Sequence, residues 1–290
     1  MLVAFSTNYA LDEITLAIFT ALAPSGAFAC LIIATVLLRD VKRGKSTQTL
    51  RLFLVGPMAI SLIGLVFSAT HLGNPDNALY AFASIGRSPL SNEVAAAVVF
   101  LATTGIFWIY GFAEKSRPIL DTFLLVCIIL SSILFITAVS MAYSVDTIPT
   151  WNLKSVPASL WLNALLGGPS LALVTFKLAD DERFQKTRKK ILLAQTIAAV
   201  GNIVVYIIHL RGLMLTSNAV SSGLDLVPMY PLAIALFAIL AAVSVFITAY
   251  ANRTEKGVCF YMASSVCIFL GIALMRFLFY MSHMTVGFGF

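Results

Sequence analysis

Eight apolar segments, each long enough to cross a lipid bilayer as a helix, constrain this chain more than any other feature. Crossing the hydrocarbon core takes about 20 helical residues. The segments run at roughly 13–38, 51–71, 91–113, 119–143, 158–179, 190–211, 229–250 and 258–282. They lack the alternation of apolar and polar residues that is typical of membrane-spanning strands. The sequence therefore predicts an all-α integral membrane protein, an eight-transmembrane-helix bundle in a single membrane-anchor domain over residues 1–290.

The composition agrees with this class and excludes several others. Hydrophobic residues make up 60% of the 290 residues and charged residues only 11%, against about 25% charged in globular domains. The net charge of +6 does not indicate nucleic-acid binding, because no basic run is interleaved with aromatic residues. Asp12 and Glu13 stand where a secretory signal would be basic, so we expect the first apolar segment to remain as a helix.

The basic residues alternate between connections, and this asymmetry predicts the topology. Fifteen of the 19 Lys and Arg residues lie in four alternate connections. They are Arg39, Lys42, Arg43, Lys45, Arg51, Lys115, Arg117, Lys177, Arg183, Lys186, Arg188, Lys189, Lys190, Arg253 and Lys256. The positive-inside rule places these connections in the cytoplasm, so both termini are predicted to face the extracytoplasmic side.

Residues 71–93 join the second and third segments on the outer side, and their sequence is HLGNPDNALYAFASIGRSPLSNE. His71 precedes Gly73 and Pro75, which mark a helix end, so one interpretation is a histidine stabilised by the helix dipole. The other is a ligand and proton acceptor for a quinol hydroxyl, because imidazole titrates near neutral pH.

Glu93 follows helix-starting residues and is open to two interpretations as well. An acid in the first turn would be stabilised by the helix dipole. If Ser88 is the cap, Glu93 lies more than a turn inside an apolar segment, where an ionisable residue indicates function. A short loop that brings His71 and Glu93 together would let both accept protons at the membrane surface. These two residues are the predicted catalytic pair.

Three polar residues share one face of the last segment, at spacing i, i+4, i+7: Arg276, Tyr280 and His283. Arg276 can extend outward to the surface. Alternatively it pairs with an acid such as Glu93 or Asp146, or positions a quinone headgroup. We therefore predict that Arg276, Tyr280, His283 and Asp146 bind quinol.

Other unusual residues are predicted to be structural. Trp151 is expected in the aromatic belt at the membrane interface, and His209 as an interfacial histidine without chemistry. Gly56-Pro57 and Gly167-Gly168-Pro169 predict kinks or close helix contacts.

No metal site is expected on this chain. The four cysteines, without CxxC spacing, lie singly in apolar segments and are predicted to be packing residues: Cys30, Cys127, Cys259 and Cys267. A haem between helices would require two histidines facing each other at matching depth, and nothing in the sequence demands that arrangement. A haem-bearing anchor remains one alternative, and a secondary transporter with broken helices is another.

Five motifs spread along the chain carry a family resemblance. They are HLGNP (71–75), SPLSNE (88–93), DTIPTW (146–151), GGP (167–169) and FYMSHMTVG (279–287). In this order, with eight apolar segments between them, they resemble the membrane-anchor subunit of dimethyl sulfoxide reductase, the DmsC family.

The resemblance implies a function in the bacterial cytoplasmic (inner) membrane. The family anchors an iron–sulfur electron-transfer subunit and a molybdenum catalytic subunit, which dock on the outer face and carry iron–sulfur clusters and a molybdopterin cofactor. The family lacks haem and oxidises menaquinol as its bound substrate. It passes the electrons to the iron–sulfur partner, and in anaerobic respiration the terminal acceptor is an S- or N-oxide. The quinol-site histidine and glutamate of the family fall on His71 and Glu93.

Overall fold

The computed structural model describes residues 2–44, 48–71, 80, 82–113, 117–180 and 183–284. These ranges contain one isolated β-bridge, between Ser217 and Ser222, and are otherwise helical or irregular. The helices are α1 (Leu2–Asp12), α2 (Ile14–Val41), α3 (Gln48–Phe53), α4 (Val55–Thr70), α5 (Pro89–Tyr110), α6 (Pro118–Ala142), α7 (Ser155–Leu178), α8 (Arg183–Leu215), α9 (Gly223–Leu226), α10 (Tyr230–Thr254) and α11 (Val258–Met281).

Eight helical spans within the described ranges are long and apolar enough to cross a membrane, with α3 and α4 together forming one of them. The predicted eight-helix membrane protein is therefore confirmed, and each predicted segment overlaps one span. Two features were not predicted. Helix α1 precedes the first span, and α8 begins at Arg183 and ends at Leu215, so it is longer than the predicted segment 190–211.

The start of α5 sets the depth of Glu93. The side chain of Ser88 caps the helix by accepting a hydrogen bond from the backbone N–H of Ser91, and Pro89 occupies the first turn. Proline is favoured there because the first backbone N–H groups of a helix have no partner within it. This start places Glu93 in the second turn, inside the apolar segment.

Small residues allow the other helices to approach α2, which packs against α4, α6, α7 and α11. A Cβ atom on Gly167 of α7 would collide with Oγ of Ser25, and one on Gly168 would lie 2.7 Å from Phe28. The close helix contact predicted at Gly167-Gly168 is therefore confirmed. By contrast, Gly56 faces open space.

Two buried ion pairs hold one end of the bundle, which we call the basic face and define by Asp40, Arg51, Asp121 and Arg183. The Arg51 guanidinium lies 2.5 Å from the Asp121 carboxylate, with both side chains almost fully buried. Arg183 pairs with Asp40. Because an unpaired charge is costly at such positions, the pairs fix α3 against α6 and α8 against α2.

The opposite end is the histidine face, which we define by His71, His209 and His283. The ends of α4, α8 and α11 meet the starts of α2, α5, α7 and α10 there. Helices α1 and α9 also pack at this end, where the hydroxyl of Ser6 donates a hydrogen bond to the backbone carbonyl of Leu226 over 2.9 Å. The described residues of the predicted site lie at this face.

Candidate functional site

Arg276 is the most deeply buried charged residue at the histidine face, with 2% of its side chain exposed. Its Nε donates a hydrogen bond of 2.9 Å to the hydroxyl of Thr20 in α2. Its guanidinium carbon lies 4.1 Å from the ring centroid of Phe279 and 5.3 Å from that of Tyr143. The side chain therefore does not extend to the surface, and aromatic rings and a hydroxyl surround the charge.

Arg276 does not pair with an acid in the part of the chain that the structure describes. Its Nη2 atom is buried and makes no hydrogen bond to those residues. A buried guanidinium with a spare donor can bind a ligand oxygen without breaking an existing interaction.

Aromatic residues form a rigid frame around this charge. Tyr280 is fully buried, and its ring centroid lies 5.9 Å from that of Tyr143 and 5.6 Å from that of Trp151. The Nε1 of Trp151 donates a 3.2 Å hydrogen bond to the backbone carbonyl of Phe279, on whose ring the indole stacks. The predicted place of Trp151 in an interfacial belt is therefore wrong, because its N–H finds a partner inside the protein.

Glu93 is the buried acid of the site, with 3% exposure. Its Oε2 atom makes no hydrogen bond to the described residues, although its charge acts on the hydroxyl of Tyr143. The same hydroxyl lies within electrostatic reach of Arg276. Burial of an incompletely bonded carboxyl group costs free energy, which is typical of a group kept for a ligand or a proton.

His71 terminates α4 as its C-cap residue and contacts the start of α2. Its Nε2 lies 3.2 Å from Oε2 of Glu13, with 39% of the histidine side chain and 14% of the glutamate side chain exposed. The distance is that of an ion pair, whereas the orientation of the ring does not give an aligned hydrogen bond to that oxygen. A histidine and a carboxylate thus meet at the edge of the site.

Tyr9 of α1 connects this pair to the last helix. Its hydroxyl hydrogen-bonds to the carboxylate of Glu13, and its ring stacks on that of His283 with 4.3 Å between centroids. Burial, aided by the charge of Glu13, raises the pKa of Tyr9 to about 12, so the phenol keeps its proton near neutral pH. Burial also lowers the pKa of His283.

The structure does not show a direct contact between His71 and Glu93. Residues 72–79 and 81 of the stretch between them lie outside the described residues. Side chains lie on both sides of this gap: Glu13 and Tyr9 next to His71, and the adjacent Tyr143 and Tyr280 toward Glu93. Neither Glu13 nor Tyr9 was predicted as a site residue, although Glu13 is an acid at the edge of an apolar segment, which is the feature that singled out Glu93.

Two further predicted positions lie apart from this cluster. Asp146 is exposed in the turn before Trp151 and takes part in none of these contacts. His209 is buried, with 4% exposure, and its Nδ1 lies 2.8 Å from the hydroxyl of Ser155. His209 is therefore buried among helices, six residues before the end of α8, and its interfacial depth stays a prediction.

An apolar groove leads away from the cluster toward the basic face. Its volume is about 750 Å³, and α2, α4, α7 and α11 form its walls, with Phe53 of α3 also lining it. At one end it is lined by Ile18 and by Ala273, which lie within a turn of Thr20 and Arg276 in the sequence. The groove therefore extends from the depth of Ile18 and Ala273 toward the basic face.

The cluster combines the groups that a small polar ring compound requires. Arg276 and the tyrosine hydroxyls can donate hydrogen bonds, while Glu93 and His71 can accept protons. Among the described residues, no group of three His, Cys, Asp or Glu side chains is placed to hold a metal ion. The arrangement suits proton transfer and ligand binding at a dry aromatic site that adjoins an apolar groove.

Comparisons with known proteins agree on one family. The family model described as DMSO reductase anchor subunit (DmsC) matches residues 7–281. The chain is 28% identical over 278 residues to the Escherichia coli protein named as the C subunit of anaerobic dimethyl sulfoxide reductase, covering 95% of this chain and 96% of that protein. It is also 28% identical over 282 residues to the Haemophilus influenzae protein of the same name, with 97% and 98% coverage. A third relative, the YnfH subunit of anaerobic dimethyl sulfoxide reductase from Escherichia coli, is 30% identical over 229 residues, 78% of this chain and 79% of the relative.

Proposed function

The chain belongs to the family of DMSO reductase anchor subunits, and on this premise we propose that it oxidises menaquinol at the histidine face. It is a multi-pass membrane anchor of a DMSO reductase complex. The electrons pass to an iron–sulfur partner subunit that docks on the histidine face, and from there to a molybdopterin-containing catalytic subunit. The terminal acceptor is an S- or N-oxide.

The proposed orientation places the histidine face outside and the basic face in the cytoplasm. It rests on the 15 basic residues in alternate connections, some of which fall at the basic face. The buried Arg51–Asp121 and Arg183–Asp40 pairs lie at that end as well. Positive charge near the ends of membrane helices is retained in the cytoplasm during insertion.

Oxidation of the quinol headgroup releases two electrons and two protons, and the cluster offers two proton acceptors. Glu93, buried beside Tyr143, accepts one proton as a general base, and His71 accepts the other. Arg276 and Tyr280 hold the headgroup oxygens by hydrogen bonds while the O–H bonds break. The two electrons leave to the iron–sulfur partner, and with both protons gone the product is a neutral quinone.

A single observation carries this proposal: Glu93 and Arg276 both have buried polar atoms without hydrogen bonds to the described residues, and both act on the hydroxyl of Tyr143. Unbonded polar groups at membrane depth are costly, so a polar ligand that bonds to both offsets that cost.

The distribution of charge also favours quinol chemistry over transport. The buried ionisable groups lie toward the two ends, whereas transporters place theirs near the midplane.

The apolar groove accommodates the rest of the molecule in this proposal. A menaquinol that enters laterally between the helices needs an apolar path for its isoprenoid tail. The groove is lined almost entirely by apolar side chains, and Ile18 and Ala273 at one end of it are near Thr20 and Arg276 in the sequence. The headgroup then lies in the aromatic frame and the tail in the groove.

Purification of the native complex from bacterial membranes tests the proposal. Molybdenum and iron–sulfur subunits should co-purify, and the complex should oxidise a reduced menaquinone analogue while it reduces dimethyl sulfoxide. A dye that reduces the partner subunits directly serves as the control for their integrity. A complex that is active with the dye and unable to oxidise any menaquinol analogue would contradict the function.

A further inference from the structure

We propose that Glu13 is a positioning residue that fixes the proton-bearing nitrogen of His71 and relays its proton toward the outer surface. The inference rests on the proposed quinol oxidation and assigns to it a residue outside the predicted catalytic pair. It is carried by two described contacts of Glu13, with His71 and with Tyr9, and by the stack of Tyr9 on His283.

The first step concerns the position of the carboxylate. Glu13 lies between α1 and α2, directly before the first membrane span. The hydroxyl of Tyr9 holds the carboxylate by a hydrogen bond, and the stack of Tyr9 on His283 immobilises the phenol. A carboxylate with one fixed oxygen presents the other in a defined direction, and that oxygen faces Nε2 of His71 at 3.2 Å.

The second step concerns the tautomer of His71. A carboxylate next to one imidazole nitrogen favours the proton on that nitrogen, because the N–H can then donate to the acid. Nε2 is the nitrogen that faces Glu13, so Nδ1 is the free base.

The third step is the transfer itself. The O–H bond of the quinol breaks and its proton forms a bond with Nδ1, which gives an imidazolium stabilised by the Glu13 carboxylate. The Nε2 proton then passes to Glu13 and on to water, which leaves a neutral imidazole protonated at Nδ1, and exchange with water returns the proton to Nε2. The electron pair of the O–H bond stays on the quinol oxygen and leaves through the ring to the iron–sulfur partner. Glu93 takes the second quinol proton, so two protons and two electrons leave in each turnover.

The charges around Glu13 suit this role. Burial raises the pKa of Glu13, the neighbouring His71 and the Tyr9 hydrogen bond oppose that rise, and the charge of Asp12 adds to it. A carboxyl group with a raised pKa accepts a proton more readily than an ordinary surface acid. His283, just after α11, stacks on Tyr9, and Tyr280 of α11 lies within electrostatic range of Tyr9.

The test compares Glu13→Gln with Asp225→Asn in the assembled complex. Asp225 is an exposed acid at the histidine face that does not contact Glu13, so its variant controls for the loss of one negative charge at this end. We expect Glu13→Gln to lower kcat for quinol oxidation about tenfold with KM nearly unchanged, and to shift the acid limb of the pH–rate profile. Asp225→Asn and activity with the direct dye should match wild type.

Two additional variants keep the test decisive. Glu13→Asp keeps the charge at a shorter reach and should assemble with an intermediate rate, which covers a failure of Glu13→Gln to fold. In a His71→Gln background, Glu13→Gln should lower the rate of quinol oxidation no further, because Glu13 acts through His71.

A wild-type pH profile in Glu13→Gln, or additive losses of rate in the double variant, would overturn the inference and leave the proposed function intact. Absence of quinol oxidation by the wild-type complex would overturn the function itself.

Discussion

The ring of Tyr9 stacks on that of His283, with 4.3 Å between centroids and 21° between planes. This contact joins the first helix of the chain to the residue that follows the last span. His283 also meets Trp151 edge-on, with 5.4 Å between centroids. The amino-terminal helix, the turn before α7 and the end of α11 therefore enclose the site together, and none of them can shift without moving the others.

Glu93→Gln tests the buried acid. The amide keeps the size of the side chain but cannot accept a proton, so quinol oxidation should slow by about a hundredfold, while the complex stays assembled and active with the direct dye. Steady-state rates with a menaquinol analogue measure the effect. Asp225→Asn is the matched control, because Asp225 is an exposed acid of the capping box of α9 at the same end. A variant that loses assembly and dye activity together would show that Glu93 serves the start of α5 instead.

Arg276→Lys tests recognition of the headgroup. Lysine keeps the charge but lacks the planar set of donors, so the Thr20 contact and the spare donor cannot both be retained. We expect KM for the menaquinol analogue to rise about tenfold, equivalent to about 1.4 kcal/mol of binding, with a smaller change in kcat. Lys154→Arg, a substitution of the same kind in the connection before α7, should leave KM unchanged. An equal KM in Arg276→Lys and wild type would remove Arg276 from the quinol site.

The fold was predictable from sequence because its determinants are local. Runs of about 20 apolar residues suffice to identify spans, and Ser88-Pro89 sets the start of α5. Helix α1 was missed because, at 11 residues, it is too short to be identified as a membrane span. The buried state of Trp151 and His209 was missed because hydropathy reports depth and not the direction of a side chain.

The site was predictable in part for the same reason. An ionisable residue in an apolar segment is conspicuous, which identified Glu93 and Arg276 as unusual before any contact was known. The grouping of Arg276 with Tyr280 and His283 followed from helical spacing. The contacts of Glu13 and Tyr9 join the start of the chain to residues 71 and 283, and no local pattern reports such long-range pairs.

The stability of the histidine face should depend on pH through His283. Burial lowers the pKa of this histidine below its usual value, so the folded state binds a proton less readily than the unfolded state. Its contribution to stability is therefore present above the ordinary histidine pKa and is lost as the pH falls through the folded value. The Tm of the purified complex should drop more between pH 7.5 and pH 5 in wild type than in His283→Gln. Equal drops in both would mean that other groups control the acid sensitivity.

Both termini should face the extracytoplasmic side. A carboxyl-terminal alkaline phosphatase fusion should be active, because the enzyme folds only outside the cytoplasm, and a fluorescent protein at the same position should remain dark. Fusions truncated after Lys256, at the basic face, are the matched control and should give the opposite pattern. A bright fluorescent fusion together with inactive phosphatase at the full-length carboxyl terminus would reverse the proposed orientation.

His71→Arg addresses the side of the membrane on which quinol is oxidised. Arginine cannot accept a proton and its bulk displaces the headgroup, so a quinol-analogue inhibitor should bind at least about tenfold more weakly. If quinol is oxidised at the histidine face as proposed, both protons should leave on the side from which the electrons depart. Turnover of the wild-type complex in sealed vesicles should then build no membrane potential, as a voltage-sensitive dye would report. Unchanged inhibitor affinity would return His71 to a purely helix-terminating role, and a potential generated by turnover would place quinol oxidation on the cytoplasmic side.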